Sequence, residues 1–357
     1  MTDVTTLKVR TSPHITDRDT TARIMWSVVL ALVPAFVGAL YIFGYYAGVV
    51  TLACVVFCMF TEAVIQKITR RPVTVGDGSA AVTGMLLAFV LPPDVPLWIP
   101  AVGAVVAIGV AKQLFGGLGC NIWNPALIGR AVLQLSFPDV INRGEWPILR
   151  SLGDGFQWHR FAMNICDQTR DLAATAHDAV TRASPLSMSS ADGIGKFGYD
   201  AGTLQMWLGF RPGCLGETSF VLLAVGGIAL ILLKRVKWQM PLVYIATVAV
   251  LTWIFPYSKA AFHTEGFFQG HPFYHVAFGG LALGAFFMAT DMVTTPLTTL
   301  GQILFAAGCG ILTAFIRLYG GYPEGVCYSI LLMNTAVPLI DRFTRPRVLG
   351  TKGVRGS

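Results

Sequence analysis

Lys112-Gln-Leu-Phe-Gly-Gly-Leu-Gly-Cys-Asn-Ile-Trp-Asn-Pro-Ala-Leu-Ile-Gly-Arg-Ala-Val-Leu133 is the stretch whose reading decides the fold. Apolar helical sequence runs up to it, and Gly116, Gly117 and Gly119 then break the helix. Asn121 and Asn124 precede a proline and a second apolar run. Inside a bilayer every backbone N–H and C=O must find a partner within the protein. A break of this kind therefore survives only where it is buried in protein or lines a cavity. Two readings are open: a re-entrant turn packed for shape alone, or a pocket for a polar ligand at membrane depth.

The surrounding composition sets the solvent. The chain has 357 residues, 54% hydrophobic and 13% charged, with a mean hydropathy of +0.62. A soluble domain carries about 25% charged residues, so this is an integral membrane protein. The net charge of +7 does not point to nucleic acid, because the basic residues sit beside apolar spans rather than in one patch. The arm Met1–Arg23 is polar and basic and lacks the apolar stretch and cleavage site of a secretory signal, so it is expected to be retained. Seven scattered cysteines include no Cys-x-x-Cys pair, which argues against an iron–sulfur or zinc site made by this chain alone. Cys54 and Cys58 share a helix face, where packing and an inter-subunit cluster ligand are the two alternatives.

A spanning helix needs about 20 apolar residues, fewer where it is short or re-entrant. The segments 22–43, 45–66, 79–92, 97–115, 122–137, 217–233, 239–255, 273–290, 301–318 and 325–340 qualify, giving about ten transmembrane segments. Basic residues in short loops mark the cytoplasmic side. The N-terminal arm, the Lys67–Arg71 loop, the Lys234–Lys237 loop and the Arg342–Arg347 tail all fall on one side when ten segments cross. Both termini are then cytoplasmic, and the long loop from 138 onward lies outside. Between 138 and 215 this loop holds seven Lys/Arg against eight Asp/Glu. The domains read as a cytoplasmic arm 1–21, a first membrane repeat 22–137, an extracytoplasmic loop 138–216, a second repeat 217–340 and a basic tail 341–357.

The halves resemble each other. Lys112-Gln-Leu-Phe-Gly-Gly is echoed by Arg317-Leu-Tyr-Gly-Gly, and Gly78-Ser-Ala-Ala-Val-Thr-Gly by Gly279-Gly-Leu-Ala-Leu-Gly, both about 200 residues apart. Five spans per half is an odd number, so the repeats have opposite orientation, with discontinuous helices meeting near the midplane. The expected fold is an all-α polytopic membrane protein of two inverted five-helix repeats, similar to urea-channel architecture, with a long extracytoplasmic loop.

Acids at membrane depth are costly and mark function. Glu62 lies near the end of the second segment, Asp77 opens the third, Glu217 opens the sixth and Asp291 closes the eighth. Asp77 and Glu217 stand either as helix N-terminal caps, worth about 0.5–2 kcal/mol, or as parts of an ion path. None forms the paired-carboxylate or His–carboxylate set of a hydrolase, and the six histidines show no metal spacing.

Asp77-Gly-Ser-Ala-Ala-Val-Thr-Gly-Met-Leu-Leu-Ala, the Lys112–Ala126 stretch, Gly216-Glu-Thr-Ser and the N-terminal Ser12-Pro-His-Ile together resemble the D subunit of the Rnf ion-translocating electron-transport complex. The related B subunit of the sodium-pumping NADH:quinone reductase shares the pattern but carries a longer N-terminal extension. The resemblance covers nearly the whole chain and implies a flavoprotein. FMN is joined in that family by a phosphoester to a threonine in Asp-x-x-Ser/Thr-Gly-Ala-Thr, attached outside the cytoplasm by a flavin transferase. The matching stretch here is Asp178-Ala-Val-Thr181-Arg182-Ala-Ser184. Ser184 takes the acceptor position and Arg182 replaces glycine, where it either pairs with the phosphate or obstructs the transferase. A serine hydroxyl forms the same phosphoester; noncovalent FMN, or none, is the other reading.

The family also implies a second, noncovalent flavin (riboflavin-like) in the bundle. The opening stretch suits it: Gly116, Gly117 and Gly119 amides and the Asn121 and Asn124 side chains can hydrogen-bond an isoalloxazine edge. Arg130 balances negative charge there or snorkels. What the resemblance implies is a translocase subunit. It relays electrons across the membrane while the complex exchanges them between ferredoxin and NAD, coupled to Na+ or H+ movement. Its partners are the other Rnf subunits, membrane and peripheral, including iron–sulfur and flavin subunits, together with membrane lipid. It has no complete active site of its own. The alternatives are the quinone-reductase B subunit and a small-solute channel or transporter without redox chemistry.

Overall fold

A computed structural model describes residues 19–141, 207, 209, 213–217, 219–255, 267–268, 272–320 and 325–344. Every regular element among them is helical, and none is a strand. The flavin-attachment stretch Asp178–Ser184, with Thr181 and Arg182, lies outside the described residues.

Helix α1 (Thr21–Phe43) starts where the Thr20 hydroxyl accepts the Arg23 amide, and it stops at Gly44, whose φ of 84° a side chain would resist. Helix α2 (Tyr45–Ile68) follows at once. At about 1.5 Å per residue each is long enough for a hydrocarbon core of about 30 Å. Helix α3 (Ser79–Phe89) is short. Helix α4 (Trp98–Ala104) continues as a π-wound stretch, Val105–Gln113. After the break come α5 (Pro125–Ser136) and a single turn, α6 (Pro138–Ile141).

Beyond the loop, a 3₁₀ turn (Leu215–Glu217) leads to α7 (Phe220–Leu232) and α8 (Gln239–Ile254). Then come α9 (Pro272–Ala277) and α10 (Leu281–Leu283), the latter running on as a second π-wound stretch, Gly284–Met288. Helices α11 (Thr299–Tyr319) and α12 (Val326–Phe343) close the described fold.

Four of these, α1, α2, α11 and α12, are long and apolar enough to cross a membrane; Ser79–Phe89, Trp98–Gln113, Phe220–Leu232 and Gln239–Ile254 are shorter apolar helices. The described residues are thus all-helical, and the chain is a polytopic membrane protein. Helix α2 packs along α3 and α4, α8 along α11, α11 against α12, and α1 against α7. One apolar core runs through all of them. The eighth expected segment, 273–290, is interrupted at Phe278–Gly280, where Gly279 takes a φ of 70°. The widened ladders of the two π-wound stretches close with Leu114 N–H on Gly109 C=O (3.0 Å) and Ala289 N–H on Gly284 C=O (2.7 Å). Such turns gather at functional sites, and here each ends at the same cavity.

Candidate functional site

The break after α4 is built as its composition dictates. Gly116, Gly117 and Gly119 have φ of 125°, 103° and 94°, conformations that L side chains rarely adopt. Arg71 ties the turn to the end of α2 by donating to the Gly116 carbonyl at 2.8 Å. Asn124 then caps α5: its Oδ1 accepts the Ala126 amide at 3.1 Å, and Pro125 takes the first helical position. The Asn124 amide nitrogen reaches across to donate to the Met288 carbonyl at 3.3 Å, joining this break to the second π-wound stretch. Trp123 donates to Thr335 Oγ1 at 2.9 Å, so α12 is fastened to the same turn. Asn121 donates to the Trp123 carbonyl at 3.2 Å, while its Oδ1 is buried and takes no hydrogen bond.

Where these elements meet is a cavity of about 80 Å³. Its polar groups are Lys112, Asn121 and Asn124 from the first break, Ser79 and Thr83 from α3, Thr290 and Asp291 from the second break, and Arg235. Val28, Leu86 and Phe287 are among its apolar walls. A mostly apolar concavity with a few placed polar atoms is the usual form of a small-molecule site. Arg235 donates to Asp19 Oδ1 at 2.8 Å and tethers the chain just before α1 to the α7–α8 loop. That guanidinium, by its hydrogen bonds above all, holds the Asp19 carboxyl below its ordinary value.

Behind the cavity lies a buried ionic network. Lys112 and Glu62 are each 1% exposed. Lys112 Nζ sits 2.7 Å from Glu62 Oε1 and donates to Ser79 Oγ at 2.6 Å. Ser79 Oγ in turn donates to Asp77 Oδ1 at 2.6 Å, and the Ser79 amide donates to the same oxygen at 2.8 Å. Asp77 therefore fastens the first residue of α3, as a cap does. Glu62 Oε1 also accepts from Gln113 Nε2 at 2.8 Å. Gln66 adds a weaker contact at 3.4 Å and is itself held by Thr74.

The predicted residues thus divide. Asn121, Asn124 and Asp291 line one cavity; Glu62 and Asp77 stand one residue behind it, through Lys112 and Ser79. The three glycines shape the turn beside it. Arg130 lies apart: it is buried on α5, donating to the Val90 carbonyl and lying 3.6 Å from Cys214 Sγ, where it braces the segments flanking α3 and α7. Glu217 is buried in the 3₁₀ turn, and the cap of α7 is Ser219, whose Oγ accepts the Leu222 amide at 3.3 Å. Among the described residues no group of three or more His, Cys, Asp or Glu could hold a metal ion. Sequence reasoning missed Lys112, Ser79 and Arg235 as site residues. The available signal was an ionisable residue inside an apolar run that contains no acid of its own.

Residues 8–350 match the NQR2, RnfD, RnfE family. The chain is 45% identical over 349 residues to the D subunit of the proton-translocating ferredoxin:NAD(+) oxidoreductase complex of Clostridium ljungdahlii, covering 96% of each chain. It is 42% identical over 351 residues to the D subunit of the Na(+)-translocating ferredoxin:NAD(+) oxidoreductase complex of Acetobacterium woodii, covering 98% of this chain and 97% of that one. To the D subunit of the ion-translocating oxidoreductase complex of Escherichia coli O127:H6 it is 34% identical, covering 96% and 98%. The chain belongs to the NQR2, RnfD, RnfE family, as a D subunit of the Rnf complex.

Proposed function

We propose that this chain is the flavin-bearing membrane subunit of an Rnf-type complex. It relays electrons across the bacterial inner membrane between ferredoxin and NAD chemistry held by partner subunits, coupled to Na+ or H+ translocation. The observation that carries the reading is the cavity at the paired breaks. Asn121 lines this cavity and is 6% exposed, and its Oδ1 accepts no hydrogen bond. A buried acceptor left unmatched costs about 1–3 kcal/mol. An isoalloxazine edge offers the missing N–H, and the apolar walls suit its faces. The lining offers a noncovalent flavin polar partners at Asn121, Asn124 and Lys112 and apolar walls at Leu86 and Phe287, and the cavity of about 80 Å³ has to widen to admit the ring system. Bound there, the flavin supplies the capacity to take up and pass on electrons one or two at a time.

The second part of the reading is covalent FMN on Ser184, attached outside the cytoplasm by a flavin transferase. It goes with a proposed topology of two inverted five-helix repeats. Each half of the chain contains one π-wound stretch followed by a break, Val105–Gln113 in the first and Gly284–Met288 in the second. With ten crossings the long loop emerges on the extracytoplasmic side and the four basic clusters remain inside. Asp291, Asp77 and Glu62, gathered at the cavity and behind it, supply the acids for the ion path.

The test is flavin content. The denatured chain should fluoresce in a gel under ultraviolet light, and Ser184→Ala should abolish the band. Acid precipitation of the purified complex should release a second flavin, which Asn121→Leu should reduce. A complex with neither a fluorescent band nor extractable flavin overturns the electron-carrier reading in favour of a channel or transporter.

A further inference from the structure

We propose that Lys112 sets the positive charge that the cavity presents to its bound flavin, and that Glu62 sets how much of that charge is felt. The inference rests on the reading of the cavity as a noncovalent flavin site.

An ammonium has three N–H donors. Among the described residues, two are committed, to Glu62 Oε1 at 2.7 Å and to Ser79 Oγ at 2.6 Å. The third is left for the cavity that Lys112 lines. Glu62 does not line the cavity. It lies behind the ammonium, with Oε1 taking Lys112 and Gln113 and Oε2 buried without a partner. The flavin's neighbour on this wall is therefore a cation whose hydrogen-bonded counter-ion is one layer further away, while Asp291 is the acid that shares the cavity with it. Asp77 reaches the same ammonium only through Ser79. Asp291 lines the cavity as well, and Arg235 at its rim is matched by Asp19.

A role in packing alone explains the arrangement poorly. A buried ion pair is generally replaceable by apolar residues of like volume without loss of stability, and often with gain. Holding α2 to α4 needs no charges. What an apolar pair cannot do is hold a positive charge at an acceptor edge in a poorly screened site, where such interactions are strongest. Reduction adds negative charge to a flavin, so a fixed cation beside it favours the reduced form. Lys112 acts on the flavin directly; Glu62 acts through Lys112 and is a positioning and charge-trimming residue.

The experiment is a spectroelectrochemical titration of the noncovalent flavin in the purified whole complex, comparing wild type, Lys112→Met, Lys112→Arg and Glu62→Gln. Lys112→Met should lower the midpoint potential by at least a tenfold change in the oxidised-to-reduced ratio, about 30 mV for a two-electron couple. Lys112→Arg should restore most of it. Glu62→Gln should shift the potential the other way, because it keeps an acceptor for Lys112 but removes the negative charge. A residue of structural importance alone has no reason to give shifts of opposite sign. The double variant E62Q/K112M strands no buried charge and should fall between the single variants. If Lys112→Met does not assemble, the sign in Glu62→Gln and in the double variant decides. Unmoved potentials with flavin still bound, or shifts of the same sign, overturn the proposal. A wild-type complex without any noncovalent flavin overturns the cavity reading itself, an outcome distinct from the first.

Discussion

Lys112 and Glu62 are charged groups that neither water nor lipid compensates, and their energetics follow from that isolation. Replacing Glu62 alone by Leu strands the ammonium, and breaking a buried pair in this way costs about 3–5 kcal/mol. The loss should appear as a clear drop in the unfolding midpoint of the detergent-solubilised protein. Replacing both, Glu62→Leu with Lys112→Met, should recover most of it, because no lone charge remains. Asp19 and Arg235 are a different case, at the rim of the cavity and outside the helices. Arg235 holds the Asp19 carboxyl below its ordinary 3.8. A group with a depressed folded-state value stabilises the fold above its unfolded value and loses that contribution as pH falls through the folded one. Asp19→Asn should therefore lower thermal stability slightly at pH 7, and the difference from wild type should vanish on acidification below 3.8. The pair is solvent-screened, so the effect should also shrink in high salt.

Helix-level contacts explain what was and was not legible in the sequence. The helices stand where the apolar runs and their glycine, proline and polar punctuation put them: 45–66 became Tyr45–Ile68, 97–115 became Trp98–Gln113, and 239–255 became Gln239–Ile254. These boundaries are local, and local signals suffice for them. The π winding at Val105–Gln113 and Gly284–Met288 left no trace, because a few residues are too short a window to separate its period from that of an α-helix. Nor could sequence show that Lys112 meets Glu62, or that Asn124 reaches the Met288 carbonyl, since those pairings are made by packing between distant helices. Two contacts at this scale can be probed. A Cβ on Gly84 of α3 would lie 2.6 Å from Val55 Cα and 2.9 Å from the Cys54 carbonyl oxygen. Backbone cannot step aside as a side chain can, so Gly84→Ala should cost about 1–3 kcal/mol by forcing α2 and α3 apart. Tyr244 of α8 bonds Thr313 of α11 at 2.7 Å and Ser329 of α12 at 3.1 Å. Interhelical hydrogen bonds in membrane proteins are worth about 0.6 kcal/mol on average, up to about 1.7. Tyr244→Phe should thus lower stability by about 1 kcal/mol in a detergent unfolding titration, and flavin content should stay the same.

At the scale of the whole molecule, the flavin reading and the topology depend on each other. On the proposed ten crossings, five in each half, the second half is reversed relative to the first and both termini return to one side. That arrangement puts the Lys67–Arg71 and Lys234–Lys237 loops and the Arg342–Arg347 tail on the side the positive-inside rule assigns to the cytoplasm. It would also carry the loop with Ser184 outward, while the cavity lined by Lys112 and Asp291 lies among the helices. A reporter enzyme active only outside the cytoplasm should accordingly be active when fused after residue 175, and inactive when fused after residue 236 or at residue 357. Activity at 236 with silence at 175 would invert the chain. Ser184 would then face the compartment where no extracytoplasmic transferase can reach it, so the covalent flavin would fail on topology before any chemistry was measured. The cavity flavin would survive that result, because its supports, Asn121, Asn124 and Lys112, are fixed by the helix breaks and not by which side the loop emerges on.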